Sequence, residues 1–334
     1  MKVLIVRFSS IGDIVLTTPV IRAIKMRLPD CEIHYLTKES FIDLVKTNEH
    51  LEKIFTIKKS IKEVKNELSK ERYDYIIDLH NNLRSLTLAR ILGVRRSTFP
   101  KLNIQKWMLV RFKWKRMPEV HVVDRYFESV KFLSVENGHL PCEIFIPVDC
   151  QVSTVNEFHF LPKGFIAVAI GAQFATKRLP LDKLKEVIQN IDLPILLVGG
   201  STDVSLAKEL LNAFPEKNLK SACGLFNLLS SADIVRQSAA LITNDTGLMH
   251  IASCFNVPIV SVWGNTVPSF GMYPYFPKQK EMFSMHQVND LSCRPCSKIG
   301  YEECPKGHFN CMNLQNTPAI AEDAVNKAGL FVHE

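Results

Sequence analysis

Short apolar runs separated by amphipathic stretches recur along the chain, and their alternation predicts strand and helix in turn. Lys2–Phe8 (KVLIVRF) reads as a strand, and Ile14–Leu28 as a helix with Ile14, Ile21, Ile24 and Leu28 on one face; Thr18-Pro19 offers an alternative start. Glu32–Leu36, Ile54–Ile57 and Tyr75–Leu79 follow as strands, Glu39–Val45 and Ser60–Ser69 as helices between them, and His121–Leu133 as a later helix. The alternation lapses over Pro141–Leu161, which reads as an interdomain linker. It resumes with strands at Phe165–Ile170 and Pro194–Val198 and helices at Leu181–Asn190, Val204–Phe214 and Leu225–Ser231. Leu241–Val262 (LITNDTGLMHIASCFNVPIVSV) then parses as strand, tight turn, helix and strand. Two α/β series predict two Rossmann-like domains, residues 1–155 and 156–316, with 317–334 beyond them.

The composition changes this picture little. With 334 residues, 46% hydrophobic and 22% charged, the chain is that of a folded two-domain protein. No apolar run reaches the roughly 18 residues of a membrane span, and the first run lacks a signal peptide's basic start and cleavage site. A cytoplasmic location is expected. The net charge of +7 matters more for its distribution. Arg95–Arg116 holds eight Lys or Arg, no acid, and Trp107, Met108, Leu109, Val110, Phe112 and Trp114. That mixture suits a solvated basic face, an interfacial helix on anionic lipid, or, less well without a nucleic-acid motif, nucleic acid.

The turns after the strands carry the chemistry. SSIGD (Ser9–Asp13) has one glycine where a dinucleotide fingerprint needs three, so no such site is expected there. It offers an acid, Asp13, at the edge where open α/β sheets bind ligands. His80–Ser85 brings Arg84, suited to an anion or to plain solvent exposure. In the second series, Asp245-Thr246-Gly247 opens a helix, either as a simple cap or as a seat for phosphate. His250 lies four residues beyond Thr246 on the same helical side, and Lys177 in GAQFATKR adds an ammonium. The G-x-x-x-x-G-K-[ST] phosphate loop is absent.

The pairing of VLIVRFSSIGDIVLTTPVIRAIK with YDYIIDLHNNLRS, a KRLP element after Gly171, and NDTGLMHIA followed by PIVSVWG resembles glycosyltransferase family nine, the bacterial ADP-heptose:lipopolysaccharide heptosyltransferases. The resemblance spans Lys2 to about Asn316. It implies an α/β GT-B fold, two Rossmann-like domains facing a central cleft, with a last helix over Pro318–Ala328 packing back on the first domain. It implies an inverting, metal-independent transfer from ADP-heptose to an anionic lipopolysaccharide precursor, with no cofactor required for catalysis. The enzyme would work at the inner face of the cytoplasmic membrane, in transient contact with it and without nucleic acid. Asp13 matches the general base, and Ser10, Gly12 and Arg84 fall to the acceptor. Ala172, Gln173, Lys177, Phe226, Asp245, Thr246, Gly247, Leu248 and His250 fall to the donor. Ala172 and Gln173 stand where the family often has Ser or Thr, and an acidic ribose contact is matched only loosely by Asp203. Another nucleotide-sugar with a different surface glycan, a non-catalytic glycolipid-binding GT-B protein, and more distantly a redox enzyme are the competing readings.

Of nine cysteines, five (Cys31, Cys142, Cys150, Cys223, Cys254) are scattered and expected reduced. Cys293, Cys296, Cys304 and Cys311, with His308 among them, have spacing compatible with a structural zinc site. Reduced thiols packing a loop are the alternative, with disulfides behind both.

Overall fold

The computed structural model describes residues 1–331. The chain divides into two compact units: Met1–Leu102 with Val120–Phe145, and Asn103–Glu119 with Ile146 onward.

The first unit is built on a parallel sheet of β1 (Lys2–Val6), β2 (Glu32–Lys38), β3 (Lys53–Ile57), β4 (Tyr75–Asp78) and β5 (Arg95–Thr98), in the order β3-β2-β1-β4-β5. Val3 pairs with Ile33 on one side and Tyr75 on the other, so the chain reverses direction of winding beside β1. Val3 to Val6 are fully buried, as a central parallel strand covered on both faces requires. The helix read over Ile14–Leu28 is two, α1 (Ile11–Val15) and α2 (Thr18–Arg27). The Thr17 and Thr18 hydroxyls donate to the Ile14 and Val15 carbonyls, and Pro19 has no N–H to continue the ladder. Glu39–Leu44 is a 3₁₀ segment rather than an α-helix. α3 (Lys65–Lys70) and α4 (Leu83–Leu92) complete the connections; Asn82 caps α4, and Gly93, at φ 65°, ends it. α5 (Asn103–Phe112) lies in the stretch that belongs to the second unit, and α6 (Val122–Phe127) returns to the first.

After α7 (Thr154–Phe158) the second unit forms a parallel sheet ordered β11-β10-β9-β6-β7-β8. Its strands are β6 (Ile166–Ala169), β7 (Ile195–Val198), β8 (Leu219–Ser221), β9 (Ala240–Asn244), β10 (Ile259–Trp263) and β11 (Phe283–Gln287). Between them run α8 (Leu181–Gln189), α9 (Val204–Ala213), α10 (Leu228–Gln237) and α11 (Gly247–Ser253), and α12 (Asn310–Asn313) precedes α13 (Thr317–Ala328). Two corrections concern the domains. The break falls at Phe145 rather than 155, and 103–119 joins the second unit. The terminal helix, expected on the first domain, instead joins the second unit's core: Ile320, Ala321, Ala324 and Ala328 of α13 cluster with Leu184, Val187 and Ile188 of α8. Small residues at three of those four positions let the helices approach closely. Of the 317–334 span, residues 332–334 lie outside the described residues.

Candidate functional site

In the first unit the strand ends at the β1/β4 reversal gather a charged cluster. Asp13 sits on α1 and accepts at Oδ2 from the Ser10 N–H (3.2 Å) and Ser10 Oγ (2.8 Å). Arg7, just past the end of β1 and 7% exposed, places Nη2 2.5 Å from Asp13 Oδ1. Its Nε donates to the Ser9 carbonyl at 2.8 Å and its Nη1 to the Leu79 carbonyl just past β4. Burial pushes the Asp13 carboxyl up, but Arg7 and Ser10 outweigh it and hold the group below its usual range. His80, packed edge-on to Phe8 at 4.9 Å, is pushed down to about 4 by burial and by the charges of Arg7 and Lys101. Its Nδ1 is buried without a hydrogen-bond partner. Lys101 is half-buried, and burial, then Arg7, lowers its pKa. Arg84 is exposed, with its guanidinium 5.6 Å from the Phe8 ring centroid. Ser10 and Asp13 are thus joined directly, Gly12 lies buried in α1 between them, and Arg84 reaches the same strand end through Phe8.

The second unit's reversal lies between β6 and β9. Asn244, at the end of β9, holds the two following loops together: Nδ2 donates to the Ala169 and Gly171 carbonyls (3.4 Å each), and Oδ1 accepts from the Leu179 N–H (3.3 Å). This brings Lys177 to the Asp245 turn, with Nζ 2.6 Å from Asp245 Oδ2, which also accepts from Thr266 Oγ1 at 2.9 Å. Thr246 is the N-cap residue of α11, its Oγ1 3.2 Å from Thr243 Oγ1, and Gly247 and Leu248 start the helix. His250 is buried at 3% exposure. Gln173 is exposed and Ala172 half-buried, and the Ala172 carbonyl accepts from Arg178 Nε at 2.7 Å. Phe226 packs against the core and meets Phe158 edge to face at 6.1 Å. Asp203 is buried and accepts from the Gly200 N–H at 2.9 Å, holding its own loop. Its carboxylate lies so near the end of β6 that a Cβ on Gly171 would stand 2.2 Å from Oδ2, so only glycine fits there.

The cysteine loop gathers its thiols, with Cys293, Cys296 and Cys304 all in the electrostatic surroundings of Cys311. All nine cysteines are free thiols, and Cys293 Sγ stands 3.9 Å from His308 Nε2. Among the described residues the one trio of ligand atoms within 4.8 Å is Glu32, His34 and Glu71, not any set from Cys293, Cys296, Cys304 and Cys311. Lysines already fill that trio: Lys2 pairs with Glu32 (3.0 Å) and Glu71 (2.9 Å), and Lys53 with Glu71 (2.5 Å). Its place at the strands' starts also separates it from the ligand edge.

Sequence reasoning missed Arg7, His80, Lys101, Asn244 and Thr266. Only Arg7 left a signal, a charge inside the apolar run KVLIVRF.

Residues 61–303 match glycosyltransferase family 9 (heptosyltransferase). The lipooligosaccharide heptosyltransferase 2 of Haemophilus influenzae is 24% identical over 312 residues, covering 81% of this chain and 85% of its own length. Among solved structures, a family 9 glycosyltransferase from Veillonella parvula superposes with a TM-score of 0.76 at 21% identity, over 98% of this chain and 97% of its own. The Escherichia coli ADP-heptose LPS heptosyltransferase II gives 0.70 at 20% identity, over 99% of each chain. With two parallel Rossmann-like sheets of the GT-B class and a family match over most of its length, the chain belongs to glycosyltransferase family 9, the heptosyltransferases, and is a glycosyltransferase.

Proposed function

We propose that this enzyme moves heptose from ADP-heptose to an anionic inner-core precursor of lipopolysaccharide, with inversion at the anomeric carbon and no metal in the transfer step. The observation that carries the reading is the Asp13 carboxylate at the strand-end edge of the first sheet, held by Arg7 and Ser10. Asp13 takes the proton of the acceptor hydroxyl as its oxygen bonds to the anomeric carbon. The bond from that carbon to the diphosphate oxygen breaks, and its electron pair leaves with ADP. Lys177 and the first N–H groups of α11, at Thr246, Gly247 and Leu248, meet the departing charge, with His250 behind them. Ala172 and Gln173 border the diphosphate and sugar, and Phe226 the adenine. Ser10, Gly12 and the exposed Arg84 address the acceptor, whose anionic groups suit a guanidinium.

The site of work is the inner face of the cytoplasmic membrane. That is supported by α5 and its continuation, where Trp107, Phe112 and Trp114 are each about half exposed among basic residues. Among the described residues no helix is long and apolar enough to cross a membrane, so the contact proposed is peripheral. Incubating the purified protein with ADP-heptose and a synthetic inner-core acceptor tests the reading. Expected are ADP release insensitive to EDTA and a product whose anomeric configuration, read by NMR, is opposite to the donor's. Asp13→Ala should lower kcat by about 100-fold or more with ADP affinity nearly unchanged. Retention of configuration, or undiminished turnover in Asp13→Ala, would refute it.

A further inference from the structure

The Asp13 carboxylate offers about four lone-pair sites. Ser10 takes two of them at Oδ2, through its N–H and its hydroxyl, and Arg7 Nη2 takes one at Oδ1. The remaining site is on Oδ1, the oxygen that Arg7 grips. Arg7 is itself fixed at three points: by Asp13, by the Ser9 carbonyl and by the Leu79 carbonyl. Its guanidinium also lies 5.9 Å from the Tyr126 ring centroid. An arginine fork held at both strand ends sets the direction in which a carboxylate points more narrowly than a lysine would.

We propose that Arg7 is a positioning residue for the transfer: it aims Asp13 Oδ1, the oxygen with the open lone pair, at the acceptor hydroxyl, and so selects the atom that receives the proton. This rests on the reading of Asp13 as the base. The groups that share the electrostatic surroundings of Asp13 are Arg7 and Ser10 from the β1–α1 turn, Tyr35 from β2, His80 after β4, Lys101 and Tyr126. Tyr35 and Tyr126 are protonated throughout the working range because burial pushes both phenols up. His80, held near 4, is neutral there. Arg7 is therefore the cation in direct contact with the carboxylate, and removing it both frees the carboxylate to rotate and raises its pKa.

Arg7→Met and Arg7→Lys separate these effects. In Arg7→Met, kcat should fall on the order of 100-fold while KM for ADP-heptose stays within twofold. The acid limb of kcat should move up by about one pH unit or more, together with the Asp13 midpoint read by carboxyl ¹³C NMR. Arg7→Lys keeps the charge but not the fork, so its limb should stay near the wild-type position with an intermediate kcat. An unmoved limb in Arg7→Met, or a kcat within twofold of wild type, overturns the proposal. Should Arg7→Met lose its cooperative melting transition, Arg7→Lys decides alone, and a wild-type kcat there overturns it. Asp13→Ala, run alongside, keeps the two readings apart: if it is inactive while Arg7→Met is normal, only the role of Arg7 fails, and if it is active the base assignment fails.

Discussion

On the proposed reading, Lys177 and Asp245 form the pair at which donor binding is decided. Both are largely buried, at 16% and 12% side-chain exposure, so removing either one leaves the other's charge without its partner. A bound diphosphate would compete with Asp245 for the ammonium. Lys177→Met leaves Asp245 without its cation beside the proposed phosphate seat, where it would repel the ligand as well as losing the attraction. Calorimetry should find ADP affinity reduced more than tenfold in Lys177→Met and partly recovered in Lys177→Met with Asp245→Asn; simple additivity of the two changes would exclude the coupling. The sign of the Asp13 shift gives a second expectation. A base held below the ordinary carboxylate value of about 3.9 is ionised above that value and protonates only as pH falls through its lowered pKa. The rate should therefore be flat from neutrality down to about pH 5, and an acid limb from this group near pH 6 would exclude the geometry described.

At the scale of elements, what the sequence revealed depended on burial. β1, β4, β6, β7, β9 and β10 are covered on both faces, so they read as mainly apolar runs, while β2 (EIHYLTK), though buried, is legible only through Ile33, Tyr35 and Leu36. β5 (RRST), β8 (LKS) and β11 (FSMHQ) are edge strands whose polar side chains carry no such pattern, and none was foreseen. The site divides the same way. Asp13, Lys177 and Thr246 stand just beyond strands that read as legible runs, whereas Arg7 and Asn244 act through bonds to residues about 70 positions away. α5 is a third case, where composition was read correctly as basic and aromatic but its mounting was not. Ile104 is 70% exposed, Trp107 contacts Phe112 at 5.3 Å, and Phe112 contacts Trp114 at 6.0 Å, giving a continuous apolar surface rimmed by Arg111, Lys115 and Arg116. Aromatic rings with cations around them suit the headgroup region of an anionic bilayer. Trp107→Ala and Trp114→Ala combined with Lys115→Glu and Arg116→Glu should reduce sedimentation with phosphatidylglycerol vesicles at least about tenfold, with ADP affinity unchanged. Equal vesicle binding would leave the patch as a solvated surface.

For the whole molecule, sequence order and spatial membership part company at residue 103. Alternating strands and helices suggested one boundary near 155, because periodicity reports each element's own burial and not the sheet it joins. The chain instead gives 103–119 to the second unit and then returns to the first. Lys113 Nζ donates to the carbonyls of Cys293 (3.1 Å) and Pro295 (2.6 Å), Lys298 Nζ to that of Asn103 (3.2 Å), and Lys106 Nζ lies 6.0 Å from the Phe270 ring centroid. Leu109, beside them, is 5% exposed. A fragment cut at 155 therefore carries α5 without the residues that anchor it. Such a fragment should bind the dye ANS, and the α5 amides should exchange without the protection they have in the full chain. Residues 1–145 with 103–119 replaced by a flexible linker keep every strand of the first sheet and no orphaned helix, and should melt cooperatively without binding the dye. If the 1–155 fragment instead melts as sharply as the linker version and leaves ANS dark, α5 does not depend on the second unit, and the division at residue 103 is wrong.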